Sequence, residues 1–354
     1  MIESILKTYG IADISSADPI ASGLINRTWK ITSGTNQYVL QRINDHVFRK
    51  PYQVGENMKM IDEYLAEHFP DYLFAAPLIN SNKDGIVYVK DEGYFRLFPF
   101  VKGSHTISVV GSPQQAFQAA LQFGKFTQLL AGFDSSRLYT TIPDFHNLTL
   151  RYKQFEEAIA TGNKTRIKQS ATYIEEIKKH THILNSFQKI QKSGEVKKRV
   201  THHDTKISNV LFDDHGMGIC VIDLDTVMPG YFISDVGDMM RTYLSPASEE
   251  EKDFTKIEVR EDFFRAIVQG YLSNMKDELT EGERGLILYA GLFLIYMQAI
   301  RFLADYCNND SYYGASYEEH NFVRAGNQLA LLKRLEEKSG KLDEIISTEL
   351  KVYS

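Results

Sequence analysis

Cysteine is almost missing from this chain of 354 residues: there are two, Cys220 and Cys307, and the first sits in the apolar run 219–222. That usage excludes a disulfide framework and fits a reducing, cytoplasmic compartment, with Cys220 a buried thiol. A surplus of positive charge is missing as well. Forty Lys and Arg stand against 46 Asp and Glu, a net charge of −6, so the electrostatic footprint of a nucleic-acid or anionic-membrane binder is absent. Long hydrophobic runs are also lacking. The most apolar stretch, 286–297, is broken by Gly291 and followed by Gln298 and Arg301, so it is too short for a membrane span and reads as a buried helix. Residues 1–11 carry Glu3 and Lys7 and do not form the apolar core and cleavage site of a signal peptide. There is no internal repeat, no low-complexity tract and no His or Cys spacing suited to zinc.

What remains is the composition of an ordinary globular protein, 43% hydrophobic and 24% charged, long enough to split into two lobes. Alternating or β-branched runs at 27–32, 37–43, 85–89 and 94–99, separated by turn sequences, predict a small antiparallel sheet. A helix over 54–68 interrupts it, with Met58, Ile61, Tyr64 and Leu65 at helical spacing. Beyond Gly103 helical patterns dominate, starting at Ser112-Pro113 and near Asn147, Lys164, Asp262, Glu281 and Glu318. The segment 164–192 reads as one charge-rich helix, with Ile167, Ile174, Ile177 and Leu184 facing inward. Phe123, Phe126, Met239 and Met240 are expected in the core. The boundary between lobes is expected within 101–112, giving lobes of 1–102 and 103–354.

The chemistry concentrates in 200–226. Two short apolar strands flank a polar turn at 213–216, and pairing them as a hairpin sets Asn209 beside Asp223, with Asp204 on the loop just before. Three oxygen-bearing side chains then meet at one edge. Phosphoryl transfer from ATP needs such a set: a carboxylate to orient and deprotonate an acceptor hydroxyl, and a carboxylate and an amide oxygen to hold Mg²⁺ against the triphosphate. An Asp followed five positions later by Asn, then a hairpin leading to another Asp, is also the spacing of the protein-kinase catalytic loop. Lys206 is placed to offset charge on the transferred phosphoryl oxygens. His202 is expected to brace the loop, while Asp225 either contacts metal or caps the stretch from Tyr231 onward.

This constellation resembles the aminoglycoside phosphotransferase and choline kinase superfamily, over nearly the whole chain. The resemblance implies a bilobal, protein-kinase-like α+β fold with a small antiparallel-sheet N-lobe and a larger, mainly helical C-lobe. Residues 22–29 look like the nucleotide-covering hairpin, bringing Gly23, Asn26 and Thr28 to the nucleotide, and 38–42 look like the third strand. Glu56 matches the acidic residue of the N-lobe helix, 94–103 the hinge with Phe98 and Phe100, and Asp235 the residue that braces the catalytic loop. At the third-strand position where the family carries an ATP-positioning Lys, this chain has Gln41. Either a bulge turns Arg42 inward to pair with Glu56, or Lys206 and Mg²⁺ carry more of the phosphate charge.

Narrower strings, 39–44, 222–230, 238–242 and 301–306, are similar to N-acetylhexosamine 1-kinases. That likeness implies transfer to the anomeric hydroxyl of an amino sugar, with Asp204, Arg301, Tyr312 and Tyr243 at the acceptor. An Arg fork and a Tyr ring suit a sugar's hydroxyls and apolar face. Arg301 equally stands four residues before Asp305, the spacing of a helix-face ion pair. A kinase of choline, homoserine or another sugar shares the same catalytic loop, and a non-catalytic nucleotide or sugar sensor is a further rival, since Gln41 removes one expected cation.

Overall fold

The computed structural model of the protein describes residues 2–20 and 25–352. Its N-terminal part is a five-stranded antiparallel sheet of β1 (Ser16–Ile20), β2 (Arg27–Ser33), β3 (Asn36–Ile43), β4 (Val87–Val89) and β5 (Gly93–Pro99), in spatial order β1-β2-β3-β5-β4. β1 escapes sequence reasoning because SADPI carries no apolar alternation and includes a proline. The structure explains the tolerance: β1 is an edge strand, where the missing N–H of Pro19 need not serve a second neighbour.

Strand periodicity gives the sheet two chemically different faces. On the outer face Ile31, Leu40, Phe95 and Leu97 close a small core with Ile5 and Leu6 of the N-terminal helix α1 (Ile2–Thr8). On the inner face β3 presents Gln41 to Arg96 of β5 and to Thr28 of β2, its ladder partners. Helix α2 (Pro51–His68) starts on Pro51 and buries Val54, Met58, Ile61 and Leu65, one stripe at helical spacing. That stripe belongs to the large core shared with the C-terminal helices. Asn57 ties it down: its amide donates to the carbonyls of Tyr139 (2.8 Å) and Val227 (3.1 Å), and its Oδ1 accepts from Tyr139 N–H (2.8 Å). The two parts are thus joined through α2 rather than by the hinge alone.

The C-terminal part is mainly helical. The Pro113–Leu129 and Glu261–Met275 helices cross closely enough that a Cβ on Gly270 would lie 2.4 Å from the Phe117 carbonyl oxygen. The apolar stretch expected to be too short for a membrane span runs on past Gln298 and Arg301 into one helix, Ile287–Cys307, that is long and apolar enough to cross one; as expected of a core helix, it is mostly buried here, among the Leu148–Thr161, Phe232–Tyr243 and His320–Glu337 helices. The charged segment read as one helix over 164–192 is three, Lys164–Gln169, Ala171–Lys179 and Thr181–Ser193. The breaks fall where side chains turn back on the backbone. Ser170 Oγ donates to Arg166 O (2.7 Å), and His180 Nδ1 lies 2.8 Å from Glu176 O. Two small sheets complete this part and carry the site: Arg199–Thr201 pairs with Met228–Gly230, and His105–Thr106, Val210–Phe212 and Gly218–Val221 form three antiparallel strands.

Candidate active site

The strands Val210–Phe212 and Gly218–Val221 do form a hairpin, with Val210 opposite Val221. One further bond, from Ile222 N–H to Asn209 O (2.9 Å), sets Asn209 and Asp223 side by side beyond its open end. The loop that precedes it is held from below by two aspartates of the Phe232–Tyr243 helix. Asp235 accepts the N–H groups of His202 (3.0 Å) and His203 (2.7 Å), and Asp238 accepts that of Thr205 (2.8 Å). His203 has φ of +67°, a left-handed conformation that costs a β-carbon residue about 1–2 kcal/mol and needs outside support. Besides Asp235, its ring provides that support, with Nδ1 within 3.0 Å of Thr201 O and 3.1 Å of Thr226 O. Gly230 is obligatory here, because a Cβ at that position would lie 2.3 Å from His203 Nε2. His202 is buried with Nε2 3.0 Å from Ile222 O, a bracing position. Tyr243, expected at the acceptor, is instead fully buried under the loop, its hydroxyl donating to Thr205 O. It sits on the inner stripe of its helix with Met239 and Met240, so it supports the loop and does not reach the cleft.

Asp204 projects from this braced loop. Asn209 spends both amide hydrogens on it, donating to its main-chain oxygen (2.8 Å) and to Oδ2 (3.0 Å), while Lys206 Nζ lies 3.0 Å from Oδ1. Burial opposes ionisation of Asp204, but the adjacent Lys206 ammonium, with His202 and the Asn209 amide, outweighs it and holds the carboxyl below its usual range. The carboxylate in turn keeps Lys206 charged. Asp223 is different. It too is left-handed (φ +60°), and among the described residues it makes no hydrogen bond or ion pair. The residue is exposed, with no such partner for its carboxylate. Desolvation, then the neighbouring Asp225 and Asp204, push it up to about 7. A carboxylate this uncomfortable, beside an Asn whose carbonyl oxygen remains to accept, is a donor pair suited to a hard divalent cation. No three His, Cys, Asp or Glu side chains gather into a metal cage among the described residues.

Above the hairpin lies the inner face of the sheet. Gln41 points into the cleft, and its Oε1 accepts two bonds from the Arg96 guanidinium, at 3.0 Å from Nε and 2.8 Å from Nη2. The third edge of Arg96 forms an ion pair with Asp225, both side chains being at most 2% exposed. Asn26 donates to the other oxygen of Asp225 (2.7 Å) and accepts from Asn44 N–H (3.0 Å). Both Asp225 oxygens are therefore held by N-terminal groups, and Asn26 is an inter-lobe tie. Thr28 Oγ1 accepts from Gln41 (3.4 Å), and Phe98 lies under Arg96, its ring centroid 5.1 Å from the guanidinium carbon. Phe100 N–H donates to Gln37 O (3.1 Å) and its ring carries Lys30. Gly23 lies outside the described residues.

Two further assignments, besides Tyr243, need correction. The β3 ladder runs without a bulge, so Arg42 points to the outer face, against Gly93, and cannot serve the cleft. Glu56 is exposed, on an outer crevice it shares with Lys59 and Asp62. It stands two residues, or about 200°, from Val54 of the buried stripe, and the α2 side chain that reaches Arg96 is Met58. Sequence reasoning does not reach Arg96 itself. A single charge inside the apolar run Tyr94-Phe95-Arg96-Leu97-Phe98 was the available signal, since a buried charge must find a partner.

On the acceptor side, Arg301 faces the rings of Phe145, Tyr312 and Tyr313, each centroid within 5.3–5.8 Å of its guanidinium carbon. The helix-face pair with Asp305 does not form. Asp305 accepts instead from the N–H groups of Tyr312 (2.8 Å) and Tyr313 (2.9 Å) and from Asn321 (3.2 Å), and so shapes the loop that carries both rings. Arg301 keeps one neutral partner, Gln298 Oε1 (3.2 Å). The nearby carboxylates are engaged elsewhere: Glu249 by Arg241 and Arg324, Glu250 by Arg324 and His320. Burial, then the positive surroundings of His203, Arg301, Arg241 and Arg151, hold His146 well below its usual range, hence neutral.

A sheet-and-helix lobe over a helical lobe, with an Asp-Lys-Asn loop and a hairpin Asp at their junction, defines a phosphotransferase of protein-kinase-like architecture. Residues 16–279 match the phosphotransferase enzyme family, and the chain belongs to it. Similar folds are a microcompartment-associated aminopropanol kinase (15% identity, TM-score 0.64, covering 96% of this chain and 97% of that one) and spectinomycin phosphotransferase in complex with ADP and spectinomycin (13%, 0.61, 95% and 98%). A choline kinase from Cryptosporidium parvum Iowa II is a third (12%, 0.56, 92% and 91%). At these identities the likeness is one of fold.

Proposed function

We propose that this chain transfers the γ-phosphoryl group of Mg·ATP to the anomeric hydroxyl of an N-acetylhexosamine, GlcNAc or GalNAc. Asp204 accepts the hydroxyl proton as the acceptor oxygen bonds to the γ-phosphorus and the bond to ADP breaks. Its ionised state, maintained by Lys206 and Asn209, suits it to that role. The exposed side of Lys206 is available to the transferring oxygens. Asn209 Oδ1 and Asp223 would hold Mg²⁺, which when bound neutralises triphosphate charge. Asp225, tied to Arg96 and Asn26, is left to anchor the turn.

The observation that favours a sugar is Arg301. A guanidinium without a carboxylate, ringed by three aromatics, repels a cation such as choline or an amino alcohol and suits the hydroxyls, acetamido oxygen and apolar face of a neutral sugar. Incubation with Mg·ATP and a panel of hexoses, N-acetylhexosamines, choline and amino alcohols, followed by ADP release, tests this; selective turnover of cationic acceptors would refute it. Arg301→Ala should raise KM for the sugar about 10–100-fold, the worth of one charge-assisted hydrogen bond, with KM for ATP unchanged. Steady-state kinetics with each substrate varied in turn checks the split.

A further inference from the structure

Position 41 of β3 faces the cleft and carries no charge, yet the cleft is not without a cation. Directly across the β3–β5 ladder stands Arg96, fully buried, with each edge of its guanidinium assigned: Nε and Nη2 to Gln41, Nη1 to Asp225. Gln41 is thus a holder for Arg96, not a free group awaiting phosphate. Asp225 lies in the short Leu224–Thr226 turn that begins at Asp223. Asp223 sits in a left-handed conformation and has no side-chain partner of its own among the described residues, so its direction is set by the turn, and the turn is fixed by what grips Asp225.

In protein kinases a β3 Lys pairs with a Glu of the N-lobe helix, and that pair must be in place for phosphoryl transfer. Here α2 offers Met58 where the acid would be, and the charged partner comes from the opposite lobe. We propose that Arg96 is a positioning residue of the phosphoryl-transfer site: buried on β5 and paired with Asp225, it fixes the turn that aims Asp223. The ion pair also spans the two lobes, so it couples the seating of the sheet over the nucleotide to the geometry of the metal-binding carboxylate. Removal of water from the pair makes it stiff, because neither partner has an alternative once buried. This rests on the cleft being the Mg·ATP site.

The test uses the purified full chain and three substitutions: Arg96→Met, Arg96→Met with Gln41→Lys, and Arg96→Met with Asp225→Asn. Calorimetric affinity for Mg·AMP-PNP, the Mg²⁺ concentration for half-maximal rate, kcat and acceptor KM are measured for each. Arg96→Met should weaken Mg·AMP-PNP at least tenfold and raise the Mg²⁺ requirement, with acceptor KM within about twofold of wild type. Adding Gln41→Lys returns a cation to pair with Asp225 and should restore most of the nucleotide affinity, which a merely structural arginine would not predict. An Arg96→Met protein that binds Mg·AMP-PNP as wild type does, or a loss that Gln41→Lys leaves untouched, overturns the assignment. If Arg96→Met alone does not fold, the Arg96→Met/Asp225→Asn protein leaves no buried charge unpaired and carries the same expectations and the same contradiction. Wild-type protein that fails to bind Mg·AMP-PNP would overturn the nucleotide reading itself, and this proposal with it.

Discussion

Asp204→Asn should lower kcat by about 10²–10⁴-fold, the range found for losing a positioned general base, while KM for ATP and for the acceptor stay near their original values. The substitution keeps a carbonyl oxygen where Asn209 donates at 3.0 Å, so the loop geometry survives. What it removes is the charge proposed to accept the hydroxyl proton, which also holds Lys206 at 3.0 Å. The loop is anchored independently by Asp235 and Asp238, so thermal stability should change little. Steady-state kinetics with a thermal melt checks both halves. An Asp204→Asn enzyme with wild-type kcat would remove Asp204 from the chemistry.

Asp223→Asn should have two effects of opposite sign. Activity at moderate Mg²⁺ should fall by at least about 10³-fold, since the proposed cation site loses its one charged ligand and phosphoryl transfer depends chiefly on positioning and charge neutralisation. Stability of the protein without nucleotide should rise at alkaline pH. The sign follows from the carboxyl's position at about 7, raised first by desolvation and then by Asp225 and Asp204. In the unfolded chain the same group gives up its proton near the ordinary value of 3.8. Between those values the folded state binds the extra proton, so each step up in pH weakens folding until pH 7 is passed, by an amount that solvent screening keeps small because Asp223 is exposed. Asn carries no such proton. The difference in Tm between Asp223→Asn and wild type should therefore grow from pH 5 to pH 8. A constant difference across that range would show that Asp223 is not strained by its surroundings.

The hairpin that carries Asn209 and Asp223 was legible in the sequence because its information is local. Two apolar strands around Asp213–Gly216 pair as a hairpin, and despite a register shift at Leu211/Phe212 the pairing brings Asn209 to Asp223. The inner-face position of Gln41 followed from the same period-two rule. Helix starts were legible where a cap was written in, as at Ser112 and Asn147, whose side chains accept from Gln115 and Leu150. What escaped depends on partners far away in the chain. The pairing of Arg96 with Asp225 spans 129 residues, and no local pattern chooses it over Glu56 as the site of the N-lobe ion pair. Arg301 and Asp305 show the converse. Their spacing favours a pair, but the 308–314 loop supplies backbone N–H groups that claim Asp305 and leave Arg301 to the aromatics. Tyr243 fails as an acceptor contact because one turn of helix decides between cleft and core, and the sequence around it is apolar enough for either.

The most direct measurement is phosphorus NMR of the product formed by the purified protein from Mg·ATP and N-acetylglucosamine or N-acetylgalactosamine. A new phosphomonoester resonance split by the anomeric proton, appearing in step with ADP, is the predicted result. Phosphate on another sugar hydroxyl, transfer confined to choline or an amino alcohol, or ADP formed with no phosphorylated acceptor would contradict it.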